Sequence, residues 1–392
     1  MARLRVPLLA RTVRGTAAGR IDTVACVTGE GRSRGGLVGL VAAVAAAGAL
    51  LAQAPVGARA PKAPPPAAEV AWPGVARGGL PGTLADGAAY SPALFLDGGA
   101  SVGPALDPRG GGVRLVLRSA GGAVRVLRRP DGAGRSYAAF TRAGDQLVWA
   151  ESVTAPDGSP RTELWRAGVG GGAAARVTAD TGWATFANSE HDIVPRDGRL
   201  YWTASAPGPE PVTEIRSVPL SGGPVRVSAE AGTWALAGWP WLVGTGGGQR
   251  GPTRIRDLDT GRTTTVEERG GALDRCGPAW CRLFELSGDA PVRSVLMRPD
   301  GGDRQTAADN GATAAVPDVA VLDRFEVLLG DSSAIAAAVG GQRLLVYDLR
   351  TRQLVAVADA ASRVSYRGGI LWWSTSAGTT VTWHTLDLRT VD

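Results

Sequence analysis

A short pattern that recurs seven times along the last 280 residues constrains this chain more than any other feature. Each copy is a mostly apolar run carrying Arg, Thr or Asp, followed by a turn rich in Gly or Asp and a second short β-prone run. The copies begin at Val113 (VRLVLRSAGG), Thr162 (TELWRAGVGG), Thr213 (TEIRSVPLSGG), Thr253 (TRIRDLDTG), Val292 (VRSVLMRPDGG), Arg343 (RLLVYDLRT) and Thr382 (TWHTLDLRT). Successive offsets are 49, 51, 40, 39, 51 and 39 residues. That is the length of a supersecondary unit of about four strands, roughly 40–50 residues.

From Thr162 onward an aromatic-rich run precedes each copy: QLVWAES at 146, RLYWTAS at 199, WLVGTGG at 241, AWCRLFEL at 279, RFEVLLGD at 324 and ILWWSTS at 370. Large side chains at matching strand positions suit sheets stacked radially, each burying both faces against its neighbours. Glycine is 56 of 392 residues and proline 26, against 44% apolar residues, so the chain can bury a core but must turn often. Long amphipathic helices are absent, which argues against α/β layering. The expected fold is therefore all-β, a β-propeller of seven four-stranded blades, with six and eight open, preceded by one N-terminal hydrophobic helix. The last copy ends at Thr390, just before the C-terminal Asp392. An N-terminal strand must then complete the final blade, and the run SPALFLDGG at 91 is one candidate, its other reading being a strand of the first blade.

DPRGGGVRLVL at 107, RDGRLYW at 196 and YDLRTRQLVAV at 347 resemble the turn-then-strand signatures of TolB-like and related bacterial propellers. The resemblance runs from about residue 90 to the end, and the whole chain is similar to exported actinobacterial proteins of that kind. Such motifs report turn geometry, since Asp-Gly at a turn is a backbone requirement. They imply a fold and no particular ligand.

The N-terminus sets location. Leu37 to Ala54 is an eighteen-residue stretch without charge, behind Arg32 and Arg34. It fits a membrane span or the apolar region of a secretory signal. The organisation expected is a basic cytoplasmic leader at 1–36, this segment at 37–54, a Pro/Ala-rich linker at 55–71 and a propeller at 72–392. The protein is then extracytoplasmic, anchored N-in and C-out or secreted. The net charge of +6 is misleading, because seven arginines against Asp22 and Glu30 put +5 of it into residues 1–35. The folded part has no basic excess to neutralise phosphates, which excludes nucleic acid as an expected partner.

Candidate chemistry is sparse. Cys276 and Cys281 flank Gly-Pro-Ala-Trp where a hairpin turn is expected, and an exported chain would join them as a disulfide. Cys26 lies ahead of the apolar segment, in the leader. The Gly-x-Ser-x-Gly match around Ser101 lacks the following helix that a nucleophile elbow needs, since Pro104 and Pro108 come next. Of the two histidines, His384 sits inside the last strand. His191 belongs to the run from Trp183 to Asp192, where Trp183, Asn188, Glu190, His191 and Asp192 form the best candidate ligand-binding group. Against this stands a solvated loop whose Asn and Asp cap turns. Trp234, Trp239 and Trp241 read as packing between blades ahead of a carbohydrate platform. No metal-ligand spacing is found, and no cofactor or catalytic residue is expected. The function expected is a non-catalytic extracytoplasmic propeller binding a protein or cell-envelope ligand. The alternative is an exported hydrolase or lyase with its site in the propeller funnel, built around Glu190, His191 and Asp192.

Overall fold

The computed structural model describes residues 63–392 apart from 111, 130–134, 155–157, 246–251, 269, 289, 310 and 332–339. The basic leader, the apolar segment at 37–54, most of the linker and Cys26 lie outside the described residues. Among the described residues no helix is long and apolar enough to cross a membrane. Contacts divide the chain between 63 and 64, and the second unit, Pro64–Asp392, holds the described elements.

The second unit is almost wholly antiparallel sheet. After a four-residue helix, Ala68–Ala71 (α1), comes Ala76–Pro81 (β1). Two sheets of four strands come next: Leu94–Phe95 (β2), Ser101–Leu106 (β3), Val113–Arg118 (β4), Val124–Arg128 (β5), then Ser136–Ala143 (β6), Gln146–Thr154 (β7), Pro160–Gly168 (β8), Ala175–Thr178 (β9). In the third, Trp183–Ala184 (β10) and Val194–Arg196 (β11) both pair with Arg199–Ser205 (β12), which leads to Val212–Pro219 (β13) and Arg226–Ala231 (β14). The fourth holds Thr233–Leu236 (β15), Trp241–Thr245 (β16), Thr253–Asp257 (β17) and Thr263–Thr265 (β18). The fifth holds Ala272–Cys276 (β19), Cys281–Ser287 (β20), Ala290–Met297 (β21) and Gln305–Asp309 (β22). The rest is one path of seven strands: Thr313–Ala314 (β23), Phe325–Gly330 (β24), Gln342–Asp348 (β25), Gln353–Arg367 (β26), Ile370–Ala377 (β27) and Thr380–Asp387 (β28), closed by β1.

The repeat copies become the third strand of their groups, and each aromatic run is the strand hydrogen-bonded before it, as in Trp149↔Trp165 and Trp202↔Arg216. The seven-stranded path divides inside β26, whose residues 353–361 pair with β25 and 362–367 with β27. Closure comes from β1, with Leu80 opposite Trp383. SPALFLDGG does not supply that strand, because Leu94 and Phe95 pair with Val102 and Ser101. Turn chemistry fixes the hairpins locally. Asp197 and Gly198 both have positive φ, 49° and 71°, between β11 and β12. That is the type I′ geometry whose twist matches the flanking strands, and it is why Asp-Gly stands there.

Buried clusters lie between sheets. Val116 and Phe95 of the first sheet pack with Trp372 and Trp383 of the last group. Leu115 shares a cluster with Trp149, Val148 with Trp202, Ile215 with Leu242, Ile255 with Leu283, Leu296 with Leu345, and Val346 with Trp373. Each cluster joins one group to the next, and the first of them joins the last group to the first, so the packing closes on itself as a β-propeller requires. Burying each such aliphatic or aromatic side chain is worth about 1.5–3 kcal/mol. The end of the expected linker is part of this core: Ala67 bridges Ala356, Ala68 is fully buried, and Trp72 stands edge-on to Phe325 at 5.9 Å.

Candidate functional site

The first strand of each sheet forms one edge, and several of these edge strands break their ladder midway. Register shifts fall at Ala138/Thr141 in β6, Leu273/Arg275 in β19 and Ser362/Ser365 in β26. In the third sheet the edge strand is split into β10 and β11, and residues 185–193 project between them, with Asn188 at φ 60°. Side chains of this projection meet partners from sheets that are not its neighbours. Edge strands of different sheets therefore face one another across the interior.

Asp318, from the segment between β23 and β24, holds the projection. One carboxylate oxygen accepts from the Ser189 hydroxyl, and the other accepts from the Glu190 amide at 3.0 Å. Arg367, at the end of β26, donates to the carbonyls of Ser189 (2.8 Å) and Phe140 (3.0 Å) and to Asn188 Oδ1 (3.1 Å). Glu190 Oε2 accepts from the Gly368 amide at 3.0 Å, and Oε1 stands 3.9 Å from His191 Nε2. Beneath Asp318, Arg282 of β20 is buried against Glu326 of β24 at 2.5 Å and Asp274 at 2.8 Å. Glu326 also accepts from the Ala320 amide, so this pair fixes the segment that carries Asp318.

The electrostatics follow from burial. Desolvation pushes the Glu190 carboxyl above the usual carboxylate range, and the neighbouring His191 draws it partly back. Desolvation likewise raises Asp192, whose Oδ1 accepts from the Ala187 amide while Oδ2 is buried without a hydrogen-bond partner. Arg367 is lowered by burial, an effect opposed by the nearby Asp192, Asp318 and Glu190.

A cavity of about 410 Å³ opens beside this network. Glu190 and His191 form one wall, Asp318 and Asp323 another, and Trp239, Trp241 and Arg275 complete it. Cys276, Gly277 and Pro278 line it too, and Cys276 and Cys281 are joined by a disulfide across a hairpin with Cα atoms 4.0 Å apart. Arg275 has no ion-pair partner among the described residues, while no group of His, Cys, Asp and Glu there is arranged to hold a metal. A second, smaller cavity of about 120 Å³ adjoins the first, sharing Ser189, His191 and Arg275, with Asp192 on its wall.

Of the residues singled out from sequence, Glu190 and His191 enter the main cavity and Asp192 the small one. Asn188 is turned to Arg367, and Trp183 is 68% exposed without lining either cavity. The tryptophan cluster divides: Trp234 is buried core, whereas Trp239 lines the cavity and packs on Tyr201 at 4.2 Å. His384 stacks on Trp373 and bonds Thr375. Ser101 is fully buried in β3 against the Tyr90 hydroxyl, so it is no nucleophile elbow. Sequence reasoning missed Asp318, Arg367, Arg275 and the Arg282–Glu326 pair, which lie 85 or more residues from Glu190.

No family model matches the sequence, and no curated protein matches it. Among solved structures, the chain is similar to an oligogalacturonate lyase from Vibrio parahaemolyticus, at 8% identity over 80% of this chain and 97% of that one, TM-score 0.49. It is similar to a prolyl endopeptidase at 18% identity over 92% of this chain and 53% of that one, TM-score 0.46. A third is the β-propeller domain of the trilobed protease from Pyrococcus furiosus, at 11% identity over 63% and 81%, TM-score 0.42. These are β-propeller proteins, and they give no specific support for the TolB-like resemblance. They also correct the functional expectation. The similar structures are mostly those of lyases and peptidases, which stands against the expected non-catalytic binding module and the expectation against an enzyme and is nearer to the alternative. At such identities the likeness is one of fold, and the case for chemistry rests on the groups in the cavity.

Proposed function

We propose that this chain is an exported hydrolase or lyase whose site is the interior cavity beside Glu190 and His191. One observation carries the reading: a carboxyl whose proton affinity is raised by burial stands beside an imidazole and opens on a cavity large enough for a small ligand. Glu190 Oε2 is held by the Gly368 amide, which leaves Oε1 on the His191 side for proton transfer. The Ser189 hydroxyl is committed to Asp318, so the arrangement suits general acid–base chemistry better than a covalent serine intermediate. Hydrolysis needs an acid for the leaving group and a base for water. Elimination needs a base and a cation near the developing negative charge. Glu190 and His191 supply the first two roles, and Arg275, without an ion-pair partner among the described residues, the last. Trp239 and Trp241 offer apolar walls for a ligand ring or side chain.

Several finer readings accompany this one. The sheets are best counted as seven blades, which is supported by five separate sheets and by the division of the last path within β26. Membership of the TolB-like group rests on the turn motifs at 107, 196 and 347. The apolar segment at 37–54 supports export with a membrane anchor or a cleaved signal, and the near-neutral remainder supports partners other than nucleic acid. Of the five residues expected to bind a ligand, Glu190, His191 and Asp192 stay in the proposed group, now joined by Arg275 and Trp239, while Asn188 is held by Arg367 and Trp183 lines neither cavity.

The test is turnover by the purified protein across blocked peptides and neutral, acidic and amino oligosaccharides, followed by new reducing ends, new amines and unsaturated products. Losing a positioned acid–base group costs about 10²–10⁴-fold in rate, so Glu190→Gln and His191→Ala should each lower turnover by that order. Turnover that survives both substitutions, or no turnover of any class by the native protein, sinks the reading.

A further inference from the structure

Asp192, on the wall of the small cavity adjoining the main one, carries a buried carboxylate oxygen that the protein leaves unsatisfied. Asp192 is 8% exposed, its Oδ1 is used by the Ala187 amide, and Oδ2 is buried with no partner. Hydroxyl groups of Thr185, Thr203, Ser205 and Thr233 line the same cavity, with His191 and Arg275 also on its wall. At about 120 Å³ the space is well above the ~10–15 Å³ that one water requires. A buried carboxylate oxygen without a donor is costly, and natural proteins satisfy such a group or use it.

We propose that Asp192 is the specificity-determining residue of the site and takes a primary ammonium group of the ligand, the rest of which occupies the main cavity. This rests on the cavity being the ligand site, as proposed above, but not on any reaction occurring there. An ammonium has three donors: one meets Oδ2, and the hydroxyls on the wall can receive others. Arg275 and His191 border both cavities, and Arg367, whose donors are used by Ser189, Phe140 and Asn188, is the third cationic group near Asp192. Arg275 is exposed and screened by water, whereas Asp192 is buried, so at similar separations the attraction outweighs the repulsion. Burial also raises Asp192, and a seated ammonium would favour its ionised form.

Two ligand sources carry this group, amino sugars and peptide N-termini, and the experiment separates them. Binding to the full chain is measured by calorimetry with chitosan hexamer and with trialanine amide, each beside its N-acetylated counterpart. For the source that binds, acetylation removes a charge-assisted hydrogen bond to a buried carboxylate, expected to weaken affinity about ten- to a hundred-fold. Asp192→Asn retains an oxygen for the Ala187 amide and should narrow the difference to within about threefold. The ligand-side comparison needs no variant, so poor folding of Asp192→Asn leaves the question decided. Equal binding of free and acetylated forms overturns the proposal, as does an undiminished preference in Asp192→Asn, as does failure of both amines to bind. Binding that discriminates without any turnover supports this assignment while removing the enzymatic one.

Discussion

Arg367 ties the last group of strands to two sheets across the interior, and replacing it with Met isolates what that tie contributes. The guanidinium is 5% exposed as a residue and donates to Ser189 and Phe140 carbonyls and to Asn188 Oδ1, linking the last group of strands to the second and third sheets. Met has similar reach but no donor, so the volume is largely kept while two carbonyls lose a charged donor. Each lost hydrogen bond of this kind is worth about 1.5–3 kcal/mol, but the three share one group and do not add. The negative groups left behind, Asp192, Asp318 and Glu190, lose the cation that opposed their repulsion. Breaking a buried charge network by removing one partner costs about 3–5 kcal/mol, and we expect Arg367→Met to fall in that range. Urea unfolding followed by circular dichroism and tryptophan fluorescence measures it, with the slope compared to confirm that only the midpoint moves. A loss below about 1 kcal/mol with unchanged slope would mean that the projection at 185–193 is held by Asp318 and by the Glu190 bond to the Gly368 amide, and Arg367 would not be the tie.

Three further outcomes are expected from the same geometry. Arg282→Met leaves Glu326, which is fully buried, without its cation and should cost about 3–5 kcal/mol, whereas Arg282→Met with Glu326→Leu should recover most of it; a double variant no more stable than the single refutes the expectation. Leu80→Ala takes a buried side chain from the closing strand opposite Trp383 and should cost about 2–5 kcal/mol in thermal or urea unfolding, and a neutral result would show that β1 closure contributes little. The third concerns pH. Glu190 is raised by burial, so the folded state binds its proton more tightly than the unfolded chain. Its contribution is full below the unfolded carboxyl value of about 4.3 and is lost as pH rises through the folded value. The stability advantage of the native protein over Glu190→Gln should therefore shrink from pH 4 towards neutrality, and a difference that grows with pH contradicts the assignment.

Much of the fold could be read along the chain because its units are local. The aromatic run and the repeat copy that comes after it are consecutive antiparallel strands, and Asp197-Gly198 specifies its own hairpin, so the pattern of side chains and turns needs no distant contact. An N-terminal strand was expected to close the ring, but the sequence did not say which residues would provide it. SPALFLDGG is the more strand-like run, yet the glycine-bearing ARGGLP of β1 is the one that closes the ring. Gly78 lies so close to the Gly98 carbonyl that a side chain there would collide, a constraint set by tertiary approach alone.

The site divides in the same way. Sequence determined that Trp183, Asn188, Glu190, His191 and Asp192 lie near one another, and nothing in that spacing says which of them face a common space. Closing the ring decided it. Asp318, Arg367 and Arg275 come from three other edge strands or their connections, so only the circular order of the sheets brings them to Glu190. The same closure removed water from the Glu190 and Asp192 carboxyls and raised their proton affinity. Desolvation is a property of everything packed around a group, which is why a chain whose strands announce themselves every 40–50 residues keeps its chemistry hidden until those strands meet.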